Sequence, residues 1–262
     1  MSQPPELAAT LGSLAAQRPA AIPVFERFDL DYCCGGDRTV AAACQERGLD
    51  ARAILEAIDA EEAASAALER SWTDATMTEL ADHIEQTHHA FLRDALARLT
   101  NILPRILAAH AGRHPELHRI AEVLRNLTAE LTDHMVREER VLFPWLRRLE
   151  RPTEIQGGPP WSVRRPISCM VHDHDDVGAA LAELRALTGG FKPPADACGL
   201  YRSMLDSLRA IERDTHIHIH KENNILFPAG VRAEDRGANR ASESAGSEAP
   251  QRLASSPTAQ SS

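Results

Sequence analysis

An eleven-residue pattern, H-x-x-x-E-x-x-x-L-F-P, occurs twice in this chain, at residues 134–144 and again, 84 residues on, at 218–228. Four-residue spacing stacks His and Glu on one helical face, one turn or ~6 Å apart. In the first copy Leu124, Leu127, Leu131, Val141 and Trp145 form an apolar stripe, and His134 and Glu138 fill its gaps. In the second the stripe is Met204, Leu208, Ile211, Thr215 and Ile225, and the gaps hold His218 and Glu222. A single pair of this kind is usually a buried hydrogen bond. Two pairs facing one interior put two carboxylates into a core, at high cost unless something neutralises them. A metal ion is the simplest neutraliser.

The pattern around the repeat predicts four long helices and no strand. They cover residues 78–110 (interrupted near Pro104), 115–149, 167–188, and a last stretch opening after Pro194 and ending near Gly230. Short links within each pair and a Pro/Gly-rich crossing at 151–166 give two antiparallel hairpins, an up-down-up-down bundle over residues 76–230. On the third helix His174 shares the stripe of Ile167, Met170 and Leu181, while His172 points about 160° away into solvent. On the first, periodicity favours His88, central with Ile84 and Ala95, over His89 nearer the edge with Leu92 and Leu96. Four imidazoles and two carboxylates suit two metals, each with two His, bridged by the acids; nitrogen and oxygen donors fit iron, zinc or manganese. Glu130 and Asp214, one turn before His134 and His218, are candidates to orient an imidazole N–H. The other histidines read as surface or capping residues: His216 and His220 on the far side of their helix, His110, His114 and His118 at the first turn, and His83.

Residues 1–72 read as a small helical domain, with helices near 6–18, 23–28, 38–47 and 50–70 around the loop Asp31-Tyr32-Cys33-Cys34-Gly35-Gly36. It is rich in Ala and short of large apolar side chains, which points to docking or to a homodimer through this domain. Adjacent Cys33 and Cys34 can close only a strained, reducible ring. As thiols they suit electron transfer, nitric oxide uptake or metal binding between subunits, whereas Cys44, Cys169 and Cys198 read as small core residues. Residues 231–262 have almost nothing apolar and are expected to be a disordered tail. With 29 basic against 38 acidic residues the net charge is −9, which argues against a nucleic-acid surface. No run of ~18 apolar residues predicts a membrane span, and the first residues lack a signal-peptide pattern. The expectation is a cytoplasmic protein.

From about residue 7 to 230 the chain resembles the hemerythrin-like di-iron bundles, and in detail the RIC (repair of iron centres) family. The marks are Asp31 to Gly36, His114-Pro115-Glu116-Leu117, His134 to Pro144, His174-Asp175 and Glu222-Asn223-Asn224 to Pro228. The resemblance implies an all-α fold and metal ligands at His89, His134, Glu138, His174, His218 and Glu222. Its first-helix register starts at Asp82-His83-Ile84 and lands on His89, with His88 standing where the family has an aromatic residue. It further implies two iron ions per chain, oxo- or hydroxo-bridged, and a protein that restores iron–sulfur clusters damaged by nitric oxide or oxidants, by donating iron. Damaged iron–sulfur proteins would then be its partners, with nitric oxide or dioxygen as a small ligand. Two other readings are a di-iron enzyme reducing nitric oxide or peroxide, and a hemerythrin-type binder of oxygen or nitric oxide.

Overall fold

Thr76 starts the bundle: its side chain accepts from the Glu79 N–H while the Glu79 carboxylate accepts from the Thr76 N–H, a reciprocal cap that fixes the first turn. The computed structural model describes residues 5–64, 71–151 and 162–247. From that cap α6 (Met77–His83) runs through a π turn (Ile84–His89) into α7 (Ala90–His110). The return helix α8 (Glu116–Arg137) passes through a second π turn (Glu138–Leu142) into α9 (Phe143–Leu149). The second hairpin is α10 (Arg164–Leu187) and α11 (Gly199–Lys221), the latter continued by a third π turn (Glu222–Leu226) into α12 (Phe227–Ser247). Around the ring α7 touches α8, α8 touches α10, α10 touches α11, and α11 closes on α7. Four antiparallel helices in a closed ring are the predicted up-down-up-down bundle.

Two apolar layers fill it. One holds Leu92, Leu99, Leu124, Leu127, Leu181 and Met204; the other holds Leu80, Ile84, Phe143, Leu146, Leu226 and Phe227. Each such side chain contributes about 1.5–3 kcal/mol by burial. The polar layer lies between them, at the level of the π turns. Two of those turns come just before Pro144 and Pro228. A proline has no N–H for the carbonyl four residues back and its ring crowds that carbonyl; the wider π turn takes up the misfit.

The amino-terminal domain is α1 (Pro5–Ala8), α2 (Leu11–Gln17), α3 (Ala21–Phe28), α4 (Val40–Glu46) and α5 (Ala51–Ala64). Thr10 and Thr39 cap α2 and α4 through their side chains, and their backbones form an isolated antiparallel bridge. Among the described residues there is no strand longer than that bridge. The core of Leu11, Val24, Phe25, Tyr32, Ile54 and Ile58 extends to Ile217 of α11. The domain therefore docks on the second hairpin.

Several expectations need correction. Residues 231–247 are helical, not disordered. The docked turn at Phe227 continues into Ala, Arg and Glu, good helix formers, and Glu234 and Asp235 tie α12 to Val163 and Arg164. Residues 248–262 lie outside the described residues. Cys169 and Cys198 are exposed rather than core residues, one lying off the α10 stripe and the other preceding α11. His110 is buried against Tyr201. His83 is half-buried and stacks on Trp72. His220 is buried and His216 half-buried, because the far side of α11 faces the amino-terminal domain and not water.

Candidate metal centre

The repeat places four imidazoles and two carboxylates in one layer. Nε2 of His89 lies 3.3 Å from Oε2 of Glu138 and 3.2 Å from Nε2 of His218, which is 2.9 Å from Oε1 of Glu222. On the other side Nε2 of His134 lies 3.3 Å from Oε2 of Glu138 and 3.1 Å from Nε2 of His174, itself 3.1 Å from Oε2 of Glu222. Two donor sets result, His89 with His218 and His134 with His174, and both share Glu138 and Glu222. All six residues are buried.

The second half of the repeat explains itself in space. Glu139 and Asn223 follow the two glutamates and are again 84 residues apart. Glu139 Oε1 accepts from Nδ1 of His89 at 2.7 Å, and Asn223 Oδ1 from Nδ1 of His174 at 2.9 Å. Phe143 stacks on His89 and Phe227 on His174, with centroids 5.8 Å and 6.0 Å apart. So each repeat gives the layer its own His and Glu, then orients and covers the imidazole of the helix beside it. With the Nδ1 protons of His89 and His174 committed to these acceptors, their Nε2 lone pairs face the centre. His134 Nδ1 has Asp173 at 3.4 Å, an acid that also pairs with Arg137 at 2.7 Å.

These residues fit metal ions. Both Glu138 oxygens and Oε2 of Glu222 are sealed from solvent without a well-aligned hydrogen bond. The Nε2 atoms of His89 and His218 lie 3.2 Å apart and those of His174 and His134 3.1 Å apart, a spacing that suits neighbouring ligands on a cation with bonds of about 2.1 Å. Burial raises the Glu138 carboxyl pKa and the Glu222 charge raises it further, but His134 and His89 bring it below its ordinary value. Burial lowers the His134 imidazole, but the charge and hydrogen bond of Glu138, the Glu222 charge and the Asp173 hydrogen bond together outweigh it and push the pKa up to about 9. Two ionised acids at full burial call for cations.

Some sequence expectations are redirected. His89 and not His88 joins the centre, because the π turn adds a residue and shifts the helical phase just before it. His88 bonds Asp214 at 2.9 Å and stacks parallel on His218; the imidazole that Asp214 orients is thus that of His88, beside the layer. Glu130 is exposed, pointing away from His134. Sequence reasoning missed Glu139, Asp173 and Asn223, although the 84-residue offset was signal enough for two of them. It also missed Lys221, buried with its Nζ 2.9 Å from both His83 Nε2 and His88 Nε2 and 5.6 Å from the Trp72 ring.

Cys33 and Cys34 sit apart from this layer but touch it. The Asn223 amide that orients His174 donates to Cys33 O at 3.3 Å, and Asn224 donates to Tyr32 O at 3.2 Å. Cys34 Sγ lies 3.6 Å from the carbonyl of His174.

A ring of four helices carrying paired His and shared Glu defines a hemerythrin-like cation-binding bundle. The hemerythrin HHE cation-binding domain family matches residues 80–230, and a domain of unknown function, DUF542, matches residues 7–62. The chain is similar to the iron-sulfur cluster repair protein YtfE of Musicola paradisiaca, 36% identical over 225 residues that cover 86% of this chain and 97% of the relative. The proteins of the same name from Citrobacter koseri and Escherichia coli O157:H7 are 34% and 33% identical over the same shares of both chains. This chain belongs to the RIC family of hemerythrin-like proteins. Among the described residues no helix is long and apolar enough to cross a membrane.

Proposed function

We propose that this protein holds two iron ions between its hairpins and donates iron to iron–sulfur clusters damaged by nitrosative or oxidative stress. His89 and His218 would hold one ion, His134 and His174 the other, and Glu138 and Glu222 would bridge them. The observation that carries this is the sharing of two buried, ionised carboxylates between two histidine pairs. Iron bound there supplies a redox-active cation held by ligands that exchange more readily than the sulfides of a cluster. The chain's own work is to orient the imidazoles through Glu139 and Asn223, to cover them with Phe143 and Phe227, and to keep bulk water from the carboxylates. Such a role belongs in the cytoplasm, whose thiol pools keep adjacent cysteines reduced. The relatives' name, iron-sulfur cluster repair protein, supports the same reading. The test is transfer of isotopically labelled iron from the loaded protein to a cluster-depleted iron–sulfur enzyme under reducing, anaerobic conditions. Recovery of activity with label in the rebuilt cluster is expected; no transfer would overturn the proposal.

A further inference from the structure

Between the amino-terminal loop and α10 lies a cavity of about 400 Å³, whose wall includes Asp31, Cys33, Cys34 and Asp175. Three donors gather at its edge. Cys33 Sγ is 3.4 Å from Asp31 Oδ1 and 3.9 Å from Cys34 Sγ. Both thiols are free. Two sulfurs at that distance are too far apart for a bond, but they match the edge, about 3.8 Å, of a tetrahedral site with metal–sulfur bonds of about 2.3 Å. Asp31, Cys33 and Cys34 each bring one donor atom within 4.8 Å of the others, and all three line the cavity.

We propose that Asp31, Cys33 and Cys34 form a second metal site within one chain, a station for a soft divalent cation, iron(II) above all, on its way between the buried centre and a client. The choice of iron as cargo rests on the donation reading above; the donor set and its geometry do not. One carboxylate and two thiolates favour iron(II), zinc(II) or cobalt(II) over magnesium or calcium. Binding exchanges two thiol protons, released to solvent, for two metal–sulfur bonds, and leaves the oxidation state of metal and sulfur unchanged. The placement suits a transfer point. Asn223 and Asn224 hold the loop against the turn that carries Glu222, and Cys34 touches the backbone of His174. At the same time Cys34 is half-buried and Asp31 exposed, so the site opens outward, where a client can reach it.

The test uses the full chain, loaded with iron at the His/Glu centre and titrated anaerobically with cobalt(II). One cobalt per chain with a near-ultraviolet thiolate-to-cobalt charge-transfer band is expected. Cys33→Ser and Cys34→Ser should each reduce that band by about half, and Asp31→Asn should keep it while weakening binding at least about 10-fold, the scale set by loss of even an outer ligand partner. Iron content and the unfolding midpoint report whether each variant is folded. Should Cys33→Ser fail there, the less buried Cys34→Ser carries the test. No thiolate band in the wild type, cobalt uptake at the His/Glu centre alone, or a band that survives Cys33→Ser/Cys34→Ser would each overturn the site. Labelled-iron transfer run in parallel separates the two ideas. Transfer without a cobalt–thiolate band overturns the station and leaves repair standing, whereas a band without transfer overturns repair and leaves the site. Transfer at wild-type rate by the double Ser variant overturns the station as a waypoint.

Discussion

At the scale of single residues, an imidazole's partner on the far nitrogen decides what the near nitrogen can do. Asn223→Ala removes the acceptor that fixes His174, and metal affinity should fall about 10–100-fold while the helices stay folded. Competition with a coloured iron(II) chelator would measure the loss. His89→Ala should lower iron content by about half or more, as expected for a lost ligand, whereas His88→Ala should leave the metal count unchanged; elemental analysis of the two variants distinguishes them. His134, Glu138, His174, His218 and Glu222 were legible in the sequence because a regular helix of known period fixes which way each points. His89 was not legible from periodicity, since it lies within the π turn at Ile84–His89, which breaks that period. The acceptors Glu139 and Asn223 left only their 84-residue offset as a signal, because they act on the neighbouring helix, and pairing between helices leaves no trace in a single-helix pattern.

At the scale of elements, the same limit explains the misplaced histidines. A far face reads as solvent when the domain that covers it lies almost 200 residues away, as Glu26 does from His216. The docking depends on a close backbone approach at Gly36, where a Cβ would come within 2.6 Å of Tyr32 O and 2.7 Å of Asn224 Oδ1. Gly36→Ala should therefore cost about 1–3 kcal/mol, read as a lower urea midpoint for the amino-terminal domain. At the opposite end His114 joins the two hairpins by meeting Asp196 at 2.9 Å. Hydrogen bonding to Asp196 raises the His114 pKa, and His114 with Arg113 holds the Asp196 carboxyl at about 2. The raised imidazole stabilises below its unfolded pKa of ~6.5 and loses that contribution as pH rises through its folded value; the depressed acid stabilises above ~4 and loses it on falling toward 2. The melting difference between wild type and Asp196→Asn should thus be widest between about pH 4 and 6.5 and narrow on either side.

At the scale of the whole molecule, folding and the proposed metal binding should be coupled, because the polar layer lies between the two apolar ones and the six side chains meet only in the native ring. Iron at 100 times its dissociation constant should add about 2.7 kcal/mol, and so raise the melting temperature by roughly 5–10 °C for a chain of this length. Calorimetry of iron-free and loaded protein checks this; equal melting temperatures would argue against a native-state site. The all-α ring was legible from four amphipathic stretches and short links. The clamp between domains was not, since Asn223 and Asn224 carry no pattern until the loop they grip is beside them.

The repeat is imperfect at one telling position. Where the first copy sets a full negative charge behind its neighbour's ring, Glu139 behind His89, the second sets only the neutral amide of Asn223 behind His174. The halves of the proposed centre are therefore not twins, and ions bound there should depart in order. Chelator stripping of the reduced, iron-loaded protein is expected to proceed in two kinetic phases. Replacing Asn223 with Glu should slow the phase that belongs to His134 and His174, because a full negative charge would then stand behind the His174 ring.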